Sequence, residues 1–187
     1  MRRIALLVAC TLALALCAGT AWGQADTLKV DYFANANTSG APDGTVRITS
    51  PGTAAGNVCA SIFVFDPEQE LSECCSCLLT PDGLRTLSVN TDLTSNPLTG
   101  VILSTGVIKL VSTIPVAGAC PLPTAVKPEP ALRAWVTHIQ NSNFSETETG
   151  SVDATLSTGE ISSLARECTA VKIAGSGHGV CSCGTGD

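Results

Sequence analysis

The chain has 187 residues, 16 acidic against 10 basic, a formal net charge of −6 and only 4% aromatic side chains. Its few Lys and Arg are scattered, which argues against nucleic acid or an anionic membrane surface as partners, since both reward clustered cations. Ten cysteines set the other boundary, because a thiol count this high fits an oxidising compartment where cysteines end as disulfides.

Arg2 and Arg3, the apolar run from Ile4 to Cys17, and small residues in Ala21-Trp22-Gly23 or Gly23-Gln24-Ala25 read as a signal peptide spanning residues 1–25. Cleavage is expected after Gly23 or Ala25. Leu7-Val8-Ala9-Cys10 matches a lipobox in letters, but cutting there would leave only a stub of the apolar region. No later segment reaches the ~18 apolar residues of a membrane-spanning helix. Residues 26–187 therefore read as one soluble, secreted domain, extracellular or periplasmic, large enough to bury roughly 70% of its unfolded surface.

The elements follow a strand–turn–strand rhythm. Leu28 to Ala34 alternates, with Leu28, Val30 and Tyr32 on one side, and Thr45 to Ser50 sets Val46 and Ile48 opposite Arg47 and Thr49. Val58 to Asp66 is apolar on both faces, as a central strand is. Asp66-Pro67 ends it, and an irregular stretch carrying Cys74, Cys75 and Cys77 is expected up to Pro81-Asp82-Gly83. Leu84 to Asn90 resumes alternation, and Val101 to Ile114 holds one or two strands broken near Ser104 to Gly106. The five prolines between Pro115 and Pro130 exclude a regular element.

Ala131 to Gln140 is again a clear strand, with Leu132, Ala134, Val136 and His138 on one face. Residues 144–149 and 151–157 flank Gly150 as a polar edge hairpin. Ile161, Leu164, Cys168 and Val171 recur at helical spacing, which predicts one helix over about 159–174, capped by Thr158 and Gly175. A cysteine-bearing tail, 175–187, closes the chain. Short strands, intervening turns and a single C-terminal helix predict a mainly β, disulfide-stapled sandwich of Greek-key, immunoglobulin-like type.

Beyond the leader stand Cys59, Cys74, Cys75, Cys77, Cys120, Cys168, Cys181 and Cys183, an even set that reads as a disulfide framework. Cys74, Cys75 and Cys77 are expected to reach three different partners, since a disulfide needs Cα atoms about 4.4–6.8 Å apart with relaxed torsions. Eight cysteines allow 105 connectivities; the favoured one stitches the tail to the central knot. Metal is the sharper alternative. Cys74 and Cys77 with Cys181, Cys183 and nearby His178 can be drawn as a zinc site, but that needs every thiol reduced and leaves Cys75 idle.

Chemistry is otherwise sparse. Asp66, Glu68 and Glu70 alternate like calcium ligands, yet an EF-hand would need glycine where Leu71 stands and a carboxylate where Cys77 stands. A looser calcium site from Asp66, Glu68, Glu70 and Glu73 is the remaining alternative to a solvated loop. His138 reads as a half-buried structural residue and His178 as part of a glycine-eased path into Cys181. Neither has a hydrolase motif around it. Tyr32 and Trp135 are the candidates for a carbohydrate-stacking platform. Asn37-Thr38-Ser39 and Asn143-Phe144-Ser145 match the glycosylation acceptor.

The runs Phe63-Val64-Phe65-Asp66, Glu73-Cys74-Cys75-Ser76-Cys77, Leu132-Arg133-Ala134-Trp135-Val136-Thr137-His138 and Ser176-Gly177-His178-Gly179-Val180-Cys181-Ser182-Cys183 together resemble small secreted cysteine-rich proteins from acidobacterial genomes. The resemblance implies a bacterial envelope or extracellular setting and carries no assigned activity. The expectation is a secreted, non-catalytic structural or interaction protein without a cofactor, its partner a protein or a glycan. Alternatives are a glycan- or calcium-binding module and, behind that, a secreted hydrolase.

Overall fold

The computed structural model describes residues 27–124 and 127–184, so the expected signal peptide, with Cys10 and Cys17, lies outside the described residues. The described residues form ten strands: β1 (Leu28–Phe33), β2 (Thr45–Thr49), β3 (Val58–Phe65), β4 (Leu71–Leu79), β5 (Leu84–Ser88), β6 (Gly106–Thr113), β7 (Arg133–Gln140), β8 (Ser145–Gly150), β9 (Val152–Ala154) and β10 (Ser176–Gly179). A single π-helical turn, Val89–Leu93, follows β5, and helix α1 spans Thr158–Gly175.

Nine of these strands form two antiparallel sheets, one ordered β4-β3-β6-β1-β9 and the other β5-β2-β7-β8. Successive strands cross repeatedly between the sheets, so β6 settles between β3 and β1, and β2 between β5 and β7. The predicted disulfide-stapled sandwich with one C-terminal helix is the observed architecture.

Every residue of β3 is buried, because this strand serves two cores. Ala60, Ile62 and Val64 face the second sheet, where Val46, Ile48, Leu87, Leu132 and Val136 meet Ile108 and Leu110. Phe63 and Phe65 face the opposite way and pack with Leu28, Leu71 and Val111 against Leu164, Cys168 and Val171 of α1. The molecule thus has three layers: the four-stranded sheet, the five-stranded sheet and the helix. Gly106 marks a close approach inside this core, since a Cβ there would sit 2.3 Å from the Phe65 carbonyl oxygen and 2.7 Å from the Phe33 ring.

The structure changes or narrows several sequence expectations. The cysteine stretch is not irregular: residues 71–79 form β4, paired with β3 from Val58↔Leu79 to Phe65↔Leu71 across a bulge at Val64/Phe65. The region 101–114 contributes one strand, β6, beginning only at Gly106. The polar segments around Gly150 are both at edges, but they do not form a hairpin. β8 pairs with β7 and β9 with β1, so the chain crosses from one sheet to the other at Ser151, whose N–H donates to the Ala134 carbonyl at 3.0 Å. The helix cap also moves by one residue, with Ser157 accepting from the Glu160 N–H and Ser176 taking the left-handed C-terminal position at φ +48°.

Candidate functional site

Four features were candidates for chemistry: the cysteines, the carboxylates from Asp66 to Glu73, the two histidines, and the Tyr32/Trp135 pair. β4 organises the first. Side chains alternate along a strand, so Cys75 and Cys77 point toward the second sheet while Cys74 points toward the helix. Cys74 accordingly bonds Cys168 of α1, Cys75 bonds Cys181 and Cys77 bonds Cys183, with Cα separations of 5.8, 5.2 and 5.4 Å. Cys59 on β3 bonds Cys120 and pins the proline-rich connection. One nine-residue strand therefore holds the helix on one face and the C-terminal tail on the other.

The tail closes the edge formed by β4 and β5. Ser182 donates from its N–H to the Asp92 carbonyl and from Oγ to Asp92 Oδ1, each at 2.8 Å, and Gly179 N–H donates to the Asn96 carbonyl at 2.6 Å. Ser176, Gly177 and Gly179 all have positive φ, and this path carries the chain past exposed His178 into Cys181. Gly179 is required there: at φ +74°, a Cβ would lie 2.3 Å from Val171 Cγ1.

The carboxylates do not converge as a set. Glu68 and Glu70 are exposed in the β3–β4 turn, where Asp66 Oδ1 accepts the Glu70 N–H at 2.8 Å. Glu73 is fully buried on β4, away from that turn, and its Oε1 accepts the Asn96 N–H at 3.0 Å while Oε2 has no partner. Burial raises its pKa from 4.5 to about 7, the Asn96 N–H pulling weakly the other way. Among the described residues, no three carboxylates or histidines gather within ligand distance of one another.

His138 occupies the opposite edge of the sandwich, where β1 and β9 face β7 and β8. It is 2% exposed, more buried than its half-buried sequence expectation. Its Nε2 lies 2.8 Å from Thr149 Oγ1 and 3.4 Å from Asp31 Oδ1, and its ring stacks on Tyr32 with centroids 4.3 Å apart. Two residues before Asp31 on β1, Lys29, also buried, pairs with Asp153. A cleft of about 400 Å³ adjoins this cluster, lined by Val30, Tyr32, Val107, Thr149 and Val152 among others.

A histidine, a hydroxyl and a carboxylate beside a cleft are the parts a hydrolase needs, but their wiring differs. A relay uses both ring nitrogens, one on the nucleophile and one on the carboxylate. Here both neighbours address Nε2, and Nδ1 is buried without a partner. The hydrogen-bond network assigns the Nε2–H tautomer, because an unpaired buried acceptor costs less than an unpaired buried N–H. His138 then donates to Thr149 and cannot take its proton. The arrangement thus lacks the two-nitrogen wiring of a relay. Asp31 as its neighbour is invisible in the sequence, since the two are joined only by the facing of β1 and β7.

Tyr32 and Trp135 are separated by the fold. Tyr32 lies in the edge cleft, its hydroxyl accepting from Gln140 Nε2 at 3.1 Å. Trp135 projects from the outer face of the four-stranded sheet, 39% exposed, between Arg47 and Gly150 in the strand register. Arg47 reaches past it to Glu148 at 2.7 Å. Of the two expected glycosylation acceptors, Asn37 has its Nδ2 committed to Thr94 Oγ1 and the Leu103 carbonyl. No described helix is long and apolar enough to cross a membrane. Set beside known proteins, the chain matches no family model, no curated protein and no solved structure.

Proposed function

We propose that this chain is a non-catalytic structural or interaction domain exported to the cell envelope or extracellular space. The observation that carries the reading is the complete pairing of Cys59, Cys74, Cys75, Cys77, Cys120, Cys168, Cys181 and Cys183, with three bridges radiating from one strand. Such a framework is maintained where thiols are oxidised and is lost where glutathione and thioredoxin act. The wiring of His138 supports the non-catalytic half of the proposal. The likeness to acidobacterial secreted proteins supports a bacterial setting. Expression of the full chain in a bacterium, followed by fractionation and thiol alkylation, tests the reading: the expected result is a leaderless protein outside the inner membrane with no alkylatable cysteine. Retention in the cytosol with reduced thiols would overturn it.

A second reading, glycan binding, is favoured by one observation. The outer face of the four-stranded sheet is covered by no described layer, and it presents the Trp135 ring beside Arg47, Glu148 and the threonine hydroxyls of β2 and β7. An aromatic plane bordered by hydrogen-bonding groups is what a sugar ring stacks on. Calorimetric titration with soluble bacterial cell-wall polysaccharide is expected to give a heat of binding with the wild type and none with Trp135→Ala. Equal responses from the two proteins, or none from either, would remove this reading.

A further inference from the structure

The two bridges between β4 and the tail form one sulfur cluster. The Sγ atoms of Cys75, Cys77 and Cys183 all lie within 4.8 Å of one another, and Cys181 Sγ is bonded to that of Cys75. Two Cys-x-Cys pairs, each with both side chains on one face of an extended segment, thus oppose each other. Four thiolates around a zinc ion, each at about 2.3 Å, would be about 3.8 Å apart. Once each S–S bond is open its two sulfurs must separate by about 2 Å to reach that spacing, and Cys181 Sγ, which stands outside the three-sulfur group, must also swing toward Cys77 and Cys183.

Both segments have anchors that do not depend on sulfur. β4 is hydrogen-bonded along its length to β3, and the tail is tied by Gly179 to Asn96 and by Ser182 to Asp92. The cysteines would therefore stay opposed after reduction. Cys75 and Cys77 are buried and Cys183 is partly buried, which shields the cluster from competing ligands. Among the described residues no other cysteines offer this: Cys74 leaves β4 on the helix side, Cys59 and Cys120 stand as a lone pair, and His178 is exposed outside the cluster. The Cys74-x-x-Cys77 spacing that suggests zinc in the sequence names the wrong first ligand.

We propose that Cys75, Cys77, Cys181 and Cys183 constitute a tetrahedral thiolate site for zinc or a similar divalent ion in the reduced chain. Each bridge opens by taking two electrons and two protons from a dithiol, which leaves as its own disulfide. The metal then displaces the four thiol protons. The tail is clamped to β4 in both states, by metal when reduced and by disulfides when oxidised. This goes beyond the exported-domain reading and does not depend on it.

The test uses the purified oxidised protein, reduced anaerobically with a phosphine and titrated with cobalt(II), followed by zinc. The expected result is one equivalent of cobalt with the intense visible bands of a tetrahedral tetrathiolate complex, displaced by zinc, in a chain whose far-UV circular dichroism is that of the folded protein. Cys77→Ser/Cys183→Ser is expected to abolish those bands, while Cys59→Ser/Cys120→Ser and Cys74→Ser/Cys168→Ser keep them. Absence of the bands in the wild type, their persistence in Cys77→Ser/Cys183→Ser, or a complex formed only by an unfolded chain would overturn the proposal.

Discussion

The two open edges of the sandwich are sealed by different means. At the β4/β5 edge the chain's own tail lies across the gap, fixed by two disulfides and by the hydrogen bonds of Ser182 to Asp92. At the β8/β9 edge the chain crosses directly from one sheet to the other at Ser151, and the interior behind it is polar: Lys29 with Asp153, and His138 with Thr149 and Asp31. The first edge is held covalently, so it needs little apolar surface from a glycine-rich tail. The second is held by buried hydrogen bonds, which stabilise modestly when complete and cost more when one partner is lost. Cross-links have been placed where the chain has least to bury.

The largest loss of stability is expected at the covalent edge. The Cys74–Cys168 bridge already anchors the helix, so the tail bridges close a loop of about 15 residues, worth about 3 kcal/mol, and the second of them adds about 2 kcal/mol by chain entropy. Removing both, as Cys75→Ser/Cys181→Ser combined with Cys77→Ser/Cys183→Ser, is expected to cost about 5 kcal/mol in urea denaturation. Removing only Cys77–Cys183 is expected to cost about 2 kcal/mol. Equal losses from the single and combined removals would show that the tail is held by its hydrogen bonds instead.

Next in size is the buried carboxyl beneath this edge. Glu73 keeps its proton up to about pH 7 in the folded protein, against an ordinary value of 4.5. Between those values the folded state holds a proton that the unfolded chain releases, so stability falls as pH rises through this window, by about 3 kcal/mol in all. Glu73→Gln is expected to gain about 2–3 kcal/mol at pH 8 relative to wild type and nothing at pH 4. A parallel pH dependence in the two proteins would contradict the assignment.

The polar edge is expected to respond more weakly. Thr149→Val deprives His138 Nε2 of its closest partner while keeping the shape, for a loss of about 1–2 kcal/mol. Stability unchanged by this substitution would mean that the hydroxyl is replaced by water or by Asp31. Smallest of all is Arg47→Ala on the exposed sheet face. Its ion pair with Glu148 is solvent-exposed, and loss of less than about 1 kcal/mol is expected from thermal unfolding.

The same contrast explains what the sequence revealed. β3 was legible because apolar residues on both faces demand a layer on each side, and it has both. Helix α1 was legible because Ile161, Leu164, Cys168 and Val171 keep a 3.6-residue period; the last three are buried and Ile161 is half-buried at the first turn. β4 was missed because serine, glutamate and consecutive cysteines show no apolar alternation. Counting bridged cysteines as apolar restores it: Cys75, Cys77 and Leu79 then line one face and Cys74 the other. The crossing at Ser151 was illegible because the partners of β8 and β9 are set by β7 and β1, the latter more than a hundred residues away in the chain. His138 was placed on the correct face of β7, but its pairing with Asp31 follows only from the stacking of two sheets.

The divergence of Cys74 and Cys75 onto opposite faces of β4 is the feature on which the three-layer arrangement turns. Peptide mapping of the unreduced protein, with fragmentation that cleaves backbone within the linked 71–79 peptide, tests it directly. The expected result is no free thiol among these eight cysteines, with Cys74 joined to Cys168, Cys75 to Cys181, Cys77 to Cys183 and Cys59 to Cys120. Cys74 joined to the tail, or Cys75 joined to the helix, would contradict it.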